Sequence, residues 1–318
     1  MTRFILGALL LLAGPAAAQD FPNRPLRIIS GSAAGGSNDF VARFFAEKIG
    51  NIFGQRIVVE NRAGVNGVIG AEAVVNSPAD GYTAFVCPMS TVTITPQLVG
   101  MTMPVDPGVD LGPIAMVGLS SYGLVVRAQS PYRNLADLIA DARSRPGQIT
   151  FASPGVGAAQ HLGGELLKQM TGTQMEHVAF RGAAPAMVEI LAGRVDFSLT
   201  NIADIARQVQ GGDLRLLAIA DETPSPIFPN APRVSQTVPG FQVVGWFGLC
   251  ARRDIPPAAM ARWLTAIQQV LASGELRQRL SDGGITPLFE DTETFARRIA
   301  ADRTNWRQII QASNIRAE

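Results

Sequence analysis

Histidine and cysteine are scarce in this 318-residue chain, with two of each. The histidines, His161 and His177, stand in no Cys/His zinc spacing and no metalloprotease motif, so neither a metal nor a cofactor is expected. His161 and Glu165 lie four apart on an expected helix, a spacing that a solvated pair shares with a metal-binding one. The cysteines, Cys87 and Cys250, are too few for a disulfide framework, and both fall in apolar strand-like runs where one bridge and two buried thiols are equally open. A nucleophilic Cys87 paired with His161 would need an orienting partner that the sequence does not supply, and Ser90 has no Gly-x-Ser-x-Gly elbow around it. No basic block occurs and the formal charge is +1, which argues against a nucleic-acid partner. Internal repeats and low-complexity segments are also missing. Beyond the first 18 residues every apolar run is broken by Arg, Asp, Gly or Pro, short of the ~20 residues that span a bilayer.

The first 18 residues are different in kind. Met1-Thr2-Arg3 precedes an apolar run over 4–13 and then Ala16-Ala17-Ala18, the basic, apolar and small-residue order of a secretory signal cleaved near Ala18. Pro15 and the shortness of the run argue against a membrane anchor. Cleavage removes Arg3 and leaves a neutral exported chain, expected to be periplasmic and monomeric. What remains exceeds one comfortable core, and with 47% hydrophobic residues it can build two lobes.

Short β-branched runs alternate with amphipathic patterns: strands at 26–29, 57–60 and 83–86, with helices at 38–49 and 69–75 between them. That alternation predicts α/β units with mainly parallel sheets. Phe40, Val41, Phe44, Phe45 and Ile49 share one face of the first helix, while Arg43, Glu47 and Lys48 point away. A second set follows, with strands at 124–127, 149–152, 177–180, 195–199 and 214–220 and helices from Asn134, Ala159 and Ala184. A proline-rich loop over 223–239 leads to a strand at 243–251, a helix opened by Pro256-Pro257 and a last helix from Thr292. The runs 124–127 and 247–252 bracket the second set and are expected to be two strand crossings that form a hinge. The implied division is 19–122 with 246–318 as the first lobe and 123–245 as the second.

Two loops carry the strongest signal for binding. Ser32, Ala33, Ala34, Gly35, Gly36, Ser37 and Asn38 join the first strand to the first helix without a bulky side chain, so a ligand can approach backbone N–H groups at the positive end of a helix. An ordinary turn with Ser37 as helix cap is the plainer alternative. Ser153, Gly155, Val156, Gly157 and Ala158 repeat the arrangement in the second set. Facing each other across a cleft, the two loops would hold the ends of a small acid. Gly64, Gly67 and Gly70 match no nucleotide-binding fingerprint and read as a close-packed turn.

FPNRPLRII with the AAGGSND loop, VVENRAGVNGVIGAEAV, ADGYT, PGVGAAQHLGGELLKQMTG, FRGAAPAMVEILAGRVDFSLTN, LRLLAIA and GWFGLCA occur in that order along the chain. In this it resembles the Bug-type solute receptors of the tripartite tricarboxylate transporter family. The resemblance implies a type II periplasmic-binding-protein fold, a small di- or tricarboxylate or aromatic acid held between the lobes, and membrane permease subunits as partners. It also implies contacts from Cys87, Met89, Ser90 and Thr91, and from Arg181, Gly182, Thr200 and Asn201, beside the two loops. Members often carry Asp where Thr200 stands, a partner for an ammonium group, so a plain or aromatic acid is expected over an amino acid. Arg181 replaces a usual Lys and offers a planar fork for a carboxylate. A sensory receptor of a membrane kinase and an exported hydrolase using Cys87 or Ser90 are the alternatives.

Overall fold

The computed structural model describes residues 21–222, 224–313 and 315–317; the expected signal at 1–18 and Thr223, where the proline-rich loop begins, lie outside them. The first lobe starts β1 (Leu26–Ser30), α1 (Ser37–Phe53), β2 (Ile57–Asn61), α2 (Val68–Val75) and β3 (Thr83–Pro88). Val41, Phe44, Phe45 and Ile49 are buried on the expected face of α1, and the helix stops at Gly54, whose φ of 63° closes the last turn. A four-residue helix α3 (Pro107–Asp110), its first turn capped by Asp106, leads into β4 (Leu111–Arg127), a strand of 17 residues.

β4 serves both lobes. Residues 111–121 pair with β9 (Val244–Arg252), whereas from Tyr122 onward the partners are β7 (Phe197–Asn201) and β8 (Leu214–Ile219). The remaining second-lobe elements are α4 (Leu135–Ser144), β5 (Ile149–Ser153), α5 (Ala159–Thr171), β6 (Met175–Ala179), α6 (Ala183–Leu191) and α7 (Ile202–Gly211). The chain returns through β9 to α8 (Pro257–Ala272), α9 (Gly274–Asp282), β10 (Ile285–Glu290) and α10 (Thr292–Ser313). Strand order is β2-β1-β3-β9-β4-β10 in the first lobe and β6-β5-β7-β4-β8 in the second. The trios around β1 and β5 are parallel, and the crossing strands pair antiparallel, so each sheet is mixed.

α1 and α8 cover one face of the first sheet. Trp263 is fully buried there, edge-on to Phe53, and its indole N–H donates to the Gly81 carbonyl at 2.8 Å. Residues of α2 and α10 pack on the other face with Phe85 and Trp246, and that core continues through Leu124 and Val126 to Phe151 beneath α5. In the second lobe α6 and α7 contribute Ile190, Ile202 and Ile205 against Val125. Each such fully buried side chain stabilises the fold by roughly 1.5–3 kcal/mol. Cys87 and Cys250 form a disulfide between β3 and β9, Cα atoms 5.9 Å apart, which settles the question the sequence left open.

Candidate functional site

The loops that leave β1, β5, β6 and β7 emerge at the C-terminal ends of the two sheets, where open α/β sheets take ligands. The helices that follow share a property. α1, α5, α6 and α7 begin at Gly36, Ala158, Gly182 and Asn201, and none of these makes a side-chain capping bond. α4 and α9 carry Asn134 and Ser273 caps on Asp137 and Leu276 N–H, whereas α2 and α8 are uncapped as well. Uncapped first turns leave their N–H donors and positive helix ends to other acceptors, a ligand anion or a carboxylate of the protein itself.

The two lobes meet along this seam. Asn66, between β2 and α2, donates its side-chain amide to the Val156 carbonyl of the β5–α5 loop. Thr91 in turn donates to the Asn66 carbonyl at 2.5 Å. Val65 and Asn66 hold φ of 46° and 50°, and a β-branched residue in that region is strained by about 1–3 kcal/mol, so surrounding contacts must fix the turn. Gly157 lies against Leu98 and Gly284 against Ala203, so closely that an added Cβ would come within 2.3 Å and 2.8 Å of them.

Of the expected contact residues, Ala33, Ala34, Gly35 and Arg181 are exposed, and Ser32, Gly36, Asn38, Ser90, Gly155, Val156 and Gly182 are partly so. The others are buried. Thr91 has no exposed surface and spends its hydroxyl on Asn66. Ser153 bonds the Gly155 carbonyl at 2.9 Å and His177 Nε2 at 2.6 Å, so its hydroxyl shapes its own loop. Met89, Gly157, Ala158, Thr200 and Asn201 are buried. Cys87 requires a correction: its sulfur is in the disulfide, so it offers a ligand no thiol and cannot act as a nucleophile. Ser37 is corrected too. It is the first residue of α1 rather than its cap, and its N–H donates across the seam to Asp204 Oδ1 at 2.8 Å.

Asp204, Asn66 and Leu98 are the seam residues that the sequence reading did not select. Asp204 was hidden because no helix was expected between the strands at 195–199 and 214–220. The spacing of Ile202, Ile205 and Val209 is the amphipathic signal that would have placed α7 and its first-turn acid.

His161 and His177 stack with ring centroids 3.8 Å apart. Gly157 N–H donates to His161 Nδ1 at 3.1 Å, which fixes the neutral tautomer with its proton on Nε2, 3.8 Å from Glu165. Burial, then the other histidine and Lys168, push His161 down to about 3; burial, then Lys168, lowers His177 to about 4. Both folded values lie below the unfolded 6.5, so the stabilisation is complete above pH 6.5 and is lost as pH falls toward 4. At pH 4.5 the loss is on the order of a few kcal/mol. Urea unfolding at pH 7.5 and 4.5 should show this drop, and His161→Phe with His177→Phe should flatten it; a wild-type profile unchanged by the pair of substitutions would assign the acid lability elsewhere.

The family model described as the tripartite tricarboxylate transporter family receptor matches residues 41–315. The chain belongs to this family. BugT of Bordetella pertussis is 31% identical over 321 residues, 98% of this chain and 97% of its own length. A Rhodopseudomonas palustris protein solved with adipate superposes with a TM-score of 0.90 at 28% identity, covering 93% of this chain and 99% of that one. MatC from the same organism, with bound malate, gives 0.83 at 26%, covering 91% and 100%. The tripartite tricarboxylate receptors are periplasmic transporter binding proteins rather than enzymes, which removes the hydrolase alternative. The two-lobed type II periplasmic-binding-protein fold expected from the resemblance is the one observed, as the likeness to the BugD structure, TM-score 0.85 at 26% identity, also shows.

Proposed function

We propose that this receptor captures a small carboxylate in the periplasm between its two lobes and presents the closed form to the membrane permease subunits of a tripartite tricarboxylate-type transporter. The observation that carries the reading is the meeting at the interlobe seam of the α5 and α6 N-termini, which have no side-chain caps, while the α1 and α7 ends beside them share Asp204. Such a site is built for negative charge, and no group of His, Cys, Asp and Glu able to hold a metal occurs among the described residues. Arg181, exposed in the loop between β6 and α6 and without an ion pair among the described residues, adds a guanidinium beside the α6 terminus. Ligand would enter the open form, and closure about β4 and β9 would remove it from water. Export requires the signal at 1–18, and the receptor acts as a monomer.

A thermal-shift screen tests the reading. Di- and tricarboxylates, aromatic acids and nicotinate-like acids are the probes, and a true ligand at 100 times its Kd adds about 2.7 kcal/mol to the native state. A rise of several degrees with one such acid is expected. No rise with any carboxylate would refute the receptor role.

A further inference from the structure

In the closed seam the N-terminus of α1 already holds a carboxylate that belongs to the protein. Ser37 N–H, the first unpaired donor of α1, points at Asp204 Oδ1, 2.8 Å away on the opposite lobe. Asn201 donates to Asp204 Oδ2 at 3.3 Å and to Ser37 Oγ at 3.2 Å, and is itself held by the Ser120 hydroxyl at 2.5 Å. Asp204 also lies in the first turn of α7, so one carboxylate serves the positive ends of two helices. It has no ion pair with Lys, Arg or His among the described residues. Burial raises the carboxyl above its usual range, while the bonds from Ser37 and Asn201 hold it down.

We propose that Asp204 is a resident carboxylate that fills the first-lobe anion position and sets this receptor for solutes bearing one carboxylate rather than two. The inference rests on the carboxylate-receptor reading above and narrows it. A solute's single carboxylate goes to the α5 and α6 termini, where Ala158 and Gly182 cap nothing with their side chains and Arg181 stands by. Its tail then runs toward Ala33, Ala34, Gly35 and Gly36, uncharged themselves, with Asp39 behind them accepting from Gly35 N–H at 3.0 Å and paired with Arg43. A second carboxylate at the α1 end would either displace Asp204 from its donors or lie against it. Two like charges about 5 Å apart in a partly buried seam repel strongly enough to discriminate by on the order of 30-fold or more. The adipate- and malate-bound relatives hold dicarboxylates, so the selectivity proposed for this chain differs from what was bound in those two structures.

The test is calorimetric titration at one pH of the exported receptor with matched acids: hexanoate with adipate, butyrate with succinate, benzoate with terephthalate. Wild type should bind the monoacid of its best pair on the order of 30-fold more tightly than the diacid. Asp204→Asn keeps an oxygen for the Ser37 N–H but removes the charge, and should bring the diacid to parity; Asp204→Ala should do the same with weaker closure. A wild-type preference for the diacid, or a ratio that neither substitution moves, overturns the proposal and leaves the receptor reading intact. Failure to bind of every acid in the series and of every carboxylate in the thermal-shift screen overturns both.

Discussion

Gly157→Val is expected to weaken ligand capture by about 100-fold or more while leaving each lobe folded. Gly157 has a φ of 76°, and a Cβ there would stand 2.3 Å from Leu98 Cδ1 and 2.9 Å from Cδ2. Leu98 belongs to the first lobe and is nearly fully buried, so it cannot swing clear. The clash therefore exists only when the lobes are together, and it acts as a wedge against closure. A receptor whose closed state is disfavoured by a few kcal/mol binds more weakly by the same factor, because affinity scales with the competent population. Left-handed strain from the new side chain is a separate cost, paid in both states, and Gly172→Val isolates it: Gly172 has φ 64° with nothing within 4 Å of an added Cβ. Titration calorimetry should show the loss in Gly157→Val only, with small-angle scattering no longer reporting compaction on ligand addition. Partial rescue is expected in Gly157→Ala with Leu98→Ala. Wild-type affinity in Gly157→Val would mean that ligand is held without closure.

That wedge depends on a contact between residues far apart in sequence, which marks where the sequence was legible and where it was not. The period of Val41, Phe44, Phe45 and Ile49 announces which face of α1 is buried, a local signal that holds, whereas of the two small-residue loops the one after β1 exposes Ala33, Ala34 and Gly35 and the one after β5 buries Gly157 and Ala158. The whole-chain order of motifs pointed to the family and its fold. The first three-quarters of β4, residues 111–123, passed unnoticed because Gly112, Pro113 and Gly118 interrupt its apolar run, and the strand is kept by bulged pairing with β9 rather than by propensity. β10 carries Pro287 and pairs irregularly with β4 next to that residue, so its signal was equally weak. The helix that carries Asp204 was readable from its amphipathic spacing, but the partners of Asp204 and Asn66 were not: Ser37 and Val156 lie 167 and 90 residues away, and nothing local tells a side chain that reaches across a seam from one that faces solvent.

The disulfide is the other long-range tie, and removing it is expected to cost about 5 kcal/mol and on the order of 10 °C in melting temperature. Cys87 and Cys250 are separated by 163 residues, so the bridge closes a loop that contains the whole second lobe. Cross-linking so long a loop restricts the unfolded chain far more than a local bridge does, and the entropy it removes grows with the logarithm of loop length. The bond sits between β3 and β9, where Phe85 faces Cys250 and Cys87 faces Gly248, so it staples the returning strand to the sheet that carries the β1–α1 loop. Cys87→Ala with Cys250→Ala avoids leaving a buried thiol or hydroxyl without a partner, and calorimetric melting of that variant beside the oxidised wild type measures the effect. A change below about 2 °C would show that packing around β9, not the covalent tie, carries the stability. Because such a bond persists only in an oxidising compartment, the same chain retained in the cytosol should melt like the double-alanine variant until oxidised. Oxidation that restores the higher melting temperature would then tie the full stability of this receptor to an oxidising compartment.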